Sequence, residues 1–204
     1  MLPTLAVAPH PPPYRRKRAP RADRICVPEA DGSVYVRRVE IRELTQADAA
    51  GVARVHVRAW QAGYAGLVDA QFLAALSIEQ RTAEWRDVWL AQPSQGCRLV
   101  AMVEDEIVGF VVGATDSPFA PGFGEIFSIY VDPEHWGTGA GSALLRRATA
   151  ELRRDEHRPL VLWVLDGNEQ AISFYERHGW RADGERKEER LGARPAPHLR
   201  YRLD

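Results

Sequence analysis

Cysteine is scarce in this chain: Cys26 and Cys97 are the only two among 204 residues. Placed so far apart, they make neither a disulfide framework nor a zinc spacing. They read as reduced thiols of a cytoplasmic protein. The six histidines are scattered, with no H-x-x-x-H pair, so a metal site is not expected. No apolar run approaches the length of a membrane span. Leu2–Ala8 is too short for a secretory core, and basic residues follow it where they should precede it. No segment repeats. The net charge of −1 is too balanced for a body that grips nucleic acid. A hydrophobic fraction of 45% is that of an ordinary globular protein, and the length suits one domain with tails.

The charge is uneven along the chain. Residues 1–24 carry six basic side chains and one acid, a net of +5, which leaves −6 on the remainder. Residues 1–33 also hold seven of the fourteen prolines, with Pro11-Pro12-Pro13 shortly before Arg15-Arg16-Lys17-Arg18. Such a stretch cannot bury a core. Residues 1–33 are therefore expected to be a disordered Pro/Arg-rich extension, and 34–204 a single folded domain. The arm either serves a partner or is a dispensable extension, and one short basic run does not separate the two.

Periodicity divides the domain into elements. Val34–Leu44 reads as a first strand, and Thr45 as a helix cap with Asp48 as its capping-box partner. Val52, Val55 and Ala59 form the stripe of the helix that follows. His56, on the same stripe, reads as a core or interface histidine, with catalysis as the alternative. Trp60–Gly66 reads as an aromatic, glycine-rich loop, ahead of short helices over Ala70–Leu76 and Ile78–Leu90. Arg98–Glu104 and Ile107–Asp116 form a hairpin. Ile126–Val131 is a strand that Pro133 brings to an end, and Leu144, Leu145, Ala148 and Leu152 follow at helical spacing. Leu160–Val164 is another apolar strand. Asp166–Asn168 caps a helix carrying Ala171, Phe174, Tyr175 and His178, which Gly179 stops. Trp180 opens a strand, and a charged loop, Asp183–Ala193, precedes the last strand near His198–Leu203.

Between the strand ending at Val131 and the helix carrying Leu144 stand Gly137, Gly139 and Gly141. A strand that passes through a glycine-rich turn into a helix start is an anion site. Glycine lets the backbone approach closely, and the free N–H groups of the first turn point outward with the positive end of the helix dipole. The expected ligand is a pyrophosphate. A P-loop would need a lysine after the glycines, and a dinucleotide fingerprint would need Gly or Ala where Ser142 stands. The acyl-CoA loop of the GNAT N-acetyltransferases, Gln/Arg-x-x-Gly-x-Gly/Ala, is matched by Trp136-Gly137-Thr138-Gly139-Ala140-Gly141, with Trp136 in place of Gln/Arg. Later, Asn168-Glu-Gln-Ala171-Ile-Ser-Phe174-Tyr175-Glu-Arg-His-Gly179-Trp180 resembles the family's N-x-x-A-x-x-F-Y-x-x-x-G-[FW]. Both motifs, in this order and one helix and one strand apart, make residues 35–204 resemble the GNAT family.

The resemblance implies an α/β fold: a mixed sheet flanked by helices, antiparallel in its N-terminal half, whose central parallel strands splay apart where acetyl-CoA inserts. It implies transfer of acetyl from acetyl-CoA to a primary amine by direct attack in a ternary complex. The acceptor is read as a small-molecule amine, with a protein N-terminus or lysine as the alternative. A module that senses acyl-CoA without turnover is the reading from another class.

By the same resemblance, the backbone of Ile129, Tyr130 and Val131 would pair with the pantetheine arm. The N–H groups of Gly137, Thr138, Gly139, Ala140, Gly141 and Ser142 would hold the pyrophosphate, with the Trp136 indole over the adenine or ribose. Asn168 would reach the pantetheine amides. Tyr175 would lie by the sulfur and protonate the departing thiolate, and Glu125 would be the base that relieves the amine of its proton. Outside the motif, Tyr175 would read as a core aromatic and Glu125 as an exposed strand-edge carboxylate. The expected partner is an amine or peptide acceptor; no metal, nucleic acid or membrane is implied, and a homodimer is compatible. The acceptor side is expected at Trp60–Leu67 and Asp183–Pro197, whose mixed charges do not choose the acceptor.

Overall fold

The structure, a computed structural model, describes residues 23–28, 34–91, 96–153 and 159–204, with the backbone alone at 23–28 and 34–38. Eight strands form one sheet: β1 Asp23–Pro28, β2 Val34–Glu43, β3 Gly96–Val103, β4 Glu106–Ala114, β5 Gly124–Val131, β6 Leu160–Leu165, β7 Arg181–Leu191 and β8 Arg194–Leu203. Their order is β1-β2-β3-β4-β5-β6-β8-β7. Every neighbouring pair is antiparallel except β5 with β6. The mixed sheet implied by the resemblance is therefore present.

Helices cover both faces of the sheet. α4, Ala140–Leu152, sets Leu144, Leu145 and Ala148 against Leu99, Val111, Ile126 and Leu162. On the other face α1, Ala49–Gly63, sets Val52 and Val55 with Trp85 against Val100 and Phe110. Leu99 and Val100, or Phe110 and Val111, are chain neighbours that enter opposite cores, because successive strand side chains point to opposite faces. That is why β3 and β4 read as continuous apolar runs rather than alternating ones.

Four sequence expectations change. Residues 23–28, placed in the disordered extension, form β1 and pair with β2 from Asp23↔Val39 to Pro28↔Val34; the rest of the extension, 1–22 and 29–33, lies outside the described residues. Trp60–Gly63 is helix, not loop. Trp60 and Tyr64 sit one turn apart with ring centroids 5.1 Å from each other, and Tyr64 N–H donates to Trp60 O (3.0 Å), so aromatic packing carries α1 through its last glycine. The helical pattern at 78–90 is α3, Ile78–Glu84, followed by one π turn over Trp85–Trp89, closed by Leu90 N–H on Trp85 O (2.8 Å). The charged segment after Trp180 is strand β7. Its alternating charges suit an exposed ribbon held by backbone pairing to β8 and by ion pairs such as Arg200 Nε–Asp183 Oδ2 (2.8 Å).

The junction of β2 and α1 is locked by charge. Asp48 accepts two bonds from the Arg42 guanidinium (2.7 and 2.8 Å), and the Thr45 N–H and Oγ1 both donate to Asp48 Oδ2 (2.8 and 2.9 Å). The expected capping box is there, with the aspartate doing the accepting. The guanidinium bonds, against the cost of burial, hold the Asp48 carboxyl down at about 2. An unfolded aspartate titrates near ~3.9, so this stabilisation is complete above that pH and is lost as pH falls towards the folded value. Asp48→Asn is expected to cost about 1–2 kcal/mol at neutral pH, discounted because Arg42 is partly exposed. Urea melts of both proteins check the sign: the gap should close as pH is lowered towards ~3. A gap that stays constant would place the effect in cap shape rather than charge.

Candidate active site

The site begins where β5 and β6 part. Their parallel ladder holds for three pairs, Gly124↔Leu160, Glu125↔Val161 and Ile126↔Leu162, although β5 runs on to Val131 and β6 to Leu165. On its other edge β5 stays with β4 but slips one residue between Val112 and Gly113, which leaves Phe127 as the extra residue. A bulge bends its strand and sharpens the twist, and here it accompanies the swing of β5 away from β6. A cavity of about 380 Å³ opens in the gap, walled by residues 126–131 of β5, residues 162–165 of β6, the start of α4 and the helix α5, Glu169–Arg177.

The ladder decides which peptide groups face this cavity. Asp132 N–H donates to Val108 O (2.8 Å), so by the alternation of antiparallel pairs Tyr130 also turns its peptide groups towards β4. A Cβ placed on Gly109 of β4 would stand 3.0 Å from Tyr130 O, which agrees. Ile129 and Val131 therefore turn their peptide groups into the gap. The Val131 carbonyl accepts from Trp136 Nε1 (2.8 Å), and Trp136 sits at the rim, 36% exposed. Of the three residues expected to offer backbone, Tyr130 brings its side chain to the cavity instead.

Past a 3₁₀ turn over Pro133–His135, the chain bends with Gly137 at φ 75° and Gly139 at φ 97°. Both values lie in the left-handed region that favours glycine. Gly139 caps α4, and the first intrahelical bond runs from Ala143 N–H to Gly139 O (3.0 Å). The N–H groups of Ala140, Gly141 and Ser142 thus have no acceptor within the helix. Thr138 is buried and donates from Oγ1 to His135 O (2.8 Å), which braces the turn, and Ala140 is sealed in the core. Gly141 and Ser142 line the cavity, as do His135, Arg177 and His178, and no carboxylate does among the described residues. This end is therefore suited to an anion.

α5 supplies the opposite wall. Asn168 caps it by accepting from Ala171 N–H at Oδ1 (3.1 Å), so its carboxamide oxygen is committed and its amide nitrogen is the part left for a ligand. Tyr175 is buried, lines the cavity, and packs within 6.2 Å of Trp180 and 6.4 Å of Tyr201. Burial, and the neighbouring Tyr130, push its phenol up. Tyr64 closes the group: its hydroxyl lies 3.3 Å from that of Tyr130, and burial followed by Tyr130 raises its phenol too. The three phenols therefore stay protonated.

His56 lies behind this cluster. Its ring stacks on Tyr130 (5.1 Å, 20°) and accepts from Trp85 Nε1 at Nδ1 (3.3 Å). Burial, helped by the Arg81 charge, lowers it to about 3. It is neutral at working pH and serves packing, as a core or interface histidine does.

Glu125 is not among the cavity's lining residues. It sits in the paired part of β5, 4% exposed, with Ser117 Oγ donating to its Oε2. Burial raises its carboxyl, opposed by that hydroxyl and by Lys187 and Arg200. It is a buried, anchored carboxylate at the closed end of the splay rather than an exposed edge residue.

Tyr64, from the segment expected on the acceptor side, lines the site, and so do Phe174, Arg177 and His178, to which no site role was given. The sequence signal of the last three is position, since all lie within the second motif.

The acetyltransferase (GNAT) family matches residues 47–180. The chain is 26% identical over 141 residues to the uncharacterized N-acetyltransferase YuaI of Bacillus subtilis, covering 69% of this chain and 79% of that one. It is 33% identical over 107 residues to the uncharacterized N-acetyltransferase MJ1207 of Methanocaldococcus jannaschii, which is 50% of this chain and 46% of that one. In structure it is similar to PaiA N-acetyltransferase from Thermoplasma acidophilum in complex with coenzyme A, with a TM-score of 0.61 and 19% identity, over 79% of this chain and 97% of that one. At that identity the likeness speaks for the fold. Since the matched span takes in α1, the splayed strands, the glycine turn and α5, the chain belongs to the GNAT family of acetyltransferases.

Proposed function

We propose that the chain transfers acetyl from acetyl-CoA to the primary amine of a small molecule by direct attack within a ternary complex. The observation that carries this is the meeting of three features in one cavity: the free edge of β5, the glycine-turned start of α4 and the Tyr175 phenol. The coenzyme A in the similar Thermoplasma structure supports the ligand class.

In this reading the pantetheine arm adds as a strand along Ile129 and Val131. Trp136 then gives up its bond to the Val131 carbonyl and turns over the nucleotide end. Asn168 donates its amide N–H to the arm. The N–H groups from Gly137 to Ser142 hold the pyrophosphate at the positive end of α4. No cysteine lines the cavity among the described residues, which favours direct attack over a covalent acyl-enzyme.

The amine attacks the thioester carbonyl carbon, the C–N bond forms as the C–S bond breaks, and the proton that the acylated nitrogen sheds restores the phenol of Tyr175. Tyr175 offers its proton to the leaving sulfur. The phenol is raised by burial, but the thiolate forms in the same dry site, where a thiol is raised as well, so the two acids remain comparable. The amine must arrive neutral. For a lysine-like amine that costs roughly 4.6 kcal/mol at pH 7, against about 1.4 for an α-amino group. Glu125 is the carboxylate we assign to the proton, reached through water because it stands behind the cavity wall.

An apolar cluster beside the cavity bears on the size of the acceptor. Phe72 and Leu73, on α2, Ala70–Ala74, pack with Trp60, Tyr64 and Val68 against Leu165, Leu191 and Ala196. A Cβ on Gly192, at the tip of the β7–β8 hairpin, would press on Phe72 at 3.0 Å. Tyr64 and Leu165 of this cluster border the cavity, and the dense apolar packing beside them favours a compact amine over an extended peptide. Release of CoA thiol with a panel of amines, with mass detection of product, tests the reading. Tight acetyl-CoA binding without turnover for any acceptor would mark a sensor instead.

Gly139→Val is expected to abolish acetyl-CoA binding in a folded protein, because a β-branched residue is strained at φ 97° and crowds the phosphate cradle. Calorimetry reads the loss; full affinity in the variant would mean that this turn does not hold phosphate. Tyr175→Phe keeps the ring, so stability should stay within about 1 kcal/mol. Turnover should drop by about 10²–10⁴-fold, the usual effect of losing a general acid, while acetyl-CoA affinity holds, since the thiolate exists only as the bond breaks. A parallel loss of rate and affinity would make Tyr175 a binding residue rather than the acid.

A further inference from the structure

His178 follows the last residue of α5 and reaches across to α4. Its Nδ1 lies 2.8 Å from Phe174 O and its Nε2 lies 3.0 Å from Ser142 Oγ. A carbonyl can only accept, so Nδ1 carries a proton in either charge state. In the neutral ring Nε2 then has only a lone pair, and the Ser142 hydroxyl must donate to it. A hydroxyl has one proton. Spent on His178, it leaves only lone pairs for any anion on the other side. When His178 is charged, Nε2 donates to Ser142 Oγ, and the hydroxyl proton is free to point elsewhere.

Ser142 is the third residue of α4 and lines the cavity beside Gly139 and Gly141, with His178 opposite. We propose that His178 is a positioning residue for the cofactor's pyrophosphate: by taking up a proton as the cofactor binds, it turns the Ser142 hydroxyl from a donor to itself into a donor to phosphate. This rests on the cofactor placement proposed above and adds a proton to it.

The surroundings are consistent with such a step. His178 closes the C-terminal end of α5, with the Phe174 carbonyl on its Nδ1. Arg177, beside it on α5, and His135, from the turn before α4, line the same cavity, and Arg146 follows one turn beyond Ser142 on α4, exposed. The nearest carboxylate along α5, Glu176, accepts from Tyr201 Oη instead (3.2 Å), and no carboxylate lines the cavity among the described residues. Histidine is the side chain that changes charge in the physiological range. The imidazolium gains a partner in the complex, so affinity is greatest at low pH and declines as pH rises.

The test is calorimetry of CoA binding to the whole protein, in buffers of different ionisation heat. Wild type should take up a fraction of a proton near neutrality. Its affinity should fall about tenfold between about pH 6 and about pH 8.5, the size of one charge-assisted hydrogen bond. His178→Phe should bind with a flat profile, since no ring nitrogen then claims the Ser142 proton, and Ser142→Ala should flatten it as well. His178→Gln should bind well at all pH values without proton uptake, since its amide N–H donates to Ser142 Oγ with no titration. CoA binding that is independent of pH in wild type overturns the proposal and leaves the cofactor site standing. A slope that survives in His178→Phe also overturns it and passes the proton to His135, whose Nδ1 is buried without a protein partner. Absence of CoA binding to wild type at any pH removes the cofactor reading and this one with it.

Discussion

A parallel ladder that stops after three pairs is the constraint on which the rest of this molecule depends. Peptide groups stripped of water and left without partners cost about 1–3 kcal/mol each, so a sheet does not open at its centre without compensation. Here β5 keeps its bonds to β4 on one edge and turns Ile129 and Val131 into the gap on the other. The Trp136 indole meets one of the exposed carbonyls, and the gap is wide enough for water or ligand to meet the rest. The split therefore frees a strand edge in the middle of a protein rather than at its rim. An edge placed there is not offered as a long strand to other chains.

Charge is sorted around that opening. Basic side chains and free helix N–H groups gather at the α4 end, and phenols gather where burial keeps them protonated. Carboxylates are held off the cavity wall: Glu125 is tied to Ser117, Glu189 to Lys187, and Asp132 to Arg58. An anionic ligand thus meets donors along one half of the site, while the other half stays dry. The aromatic stack of His56, Tyr130, Trp60 and Trp85 fixes the α1 side without bringing in charge, because a histidine so deeply buried stays neutral.

Much of this was legible in the order of residues. The strand–turn–helix of residues 124–152 needs only local facts: an apolar β-branched run, a proline that cannot continue it, glycines for positive φ, and a helical stripe. Asn168 as a cap and Gly179 as a stop are equally local. The errors fell where local signals point one way and long-range packing another. Trp60–Gly63 carries loop chemistry, yet aromatic packing keeps it helical. Asp183–Leu191 carries no apolar face, yet pairing to β8 makes it a strand. Residues 23–28 have no core of their own and gain their order from β2.

By itself, then, the sequence determined the elements flanking the turn, the left-handed glycines and the pairing of two motifs, because each depends on neighbours a few positions away. It could not decide which peptide groups of β5 face the gap, since that follows from the register with β4 and from a bulge at Phe127. Nor could it decide that Glu125 lies behind the wall, that Tyr64 joins Tyr130 and Tyr175, or that His178 reaches Ser142. The last two of these contacts join residues 66 and 36 positions apart in the chain, and only the packing of helices on a twisted sheet brings such distant side chains within reach of one another.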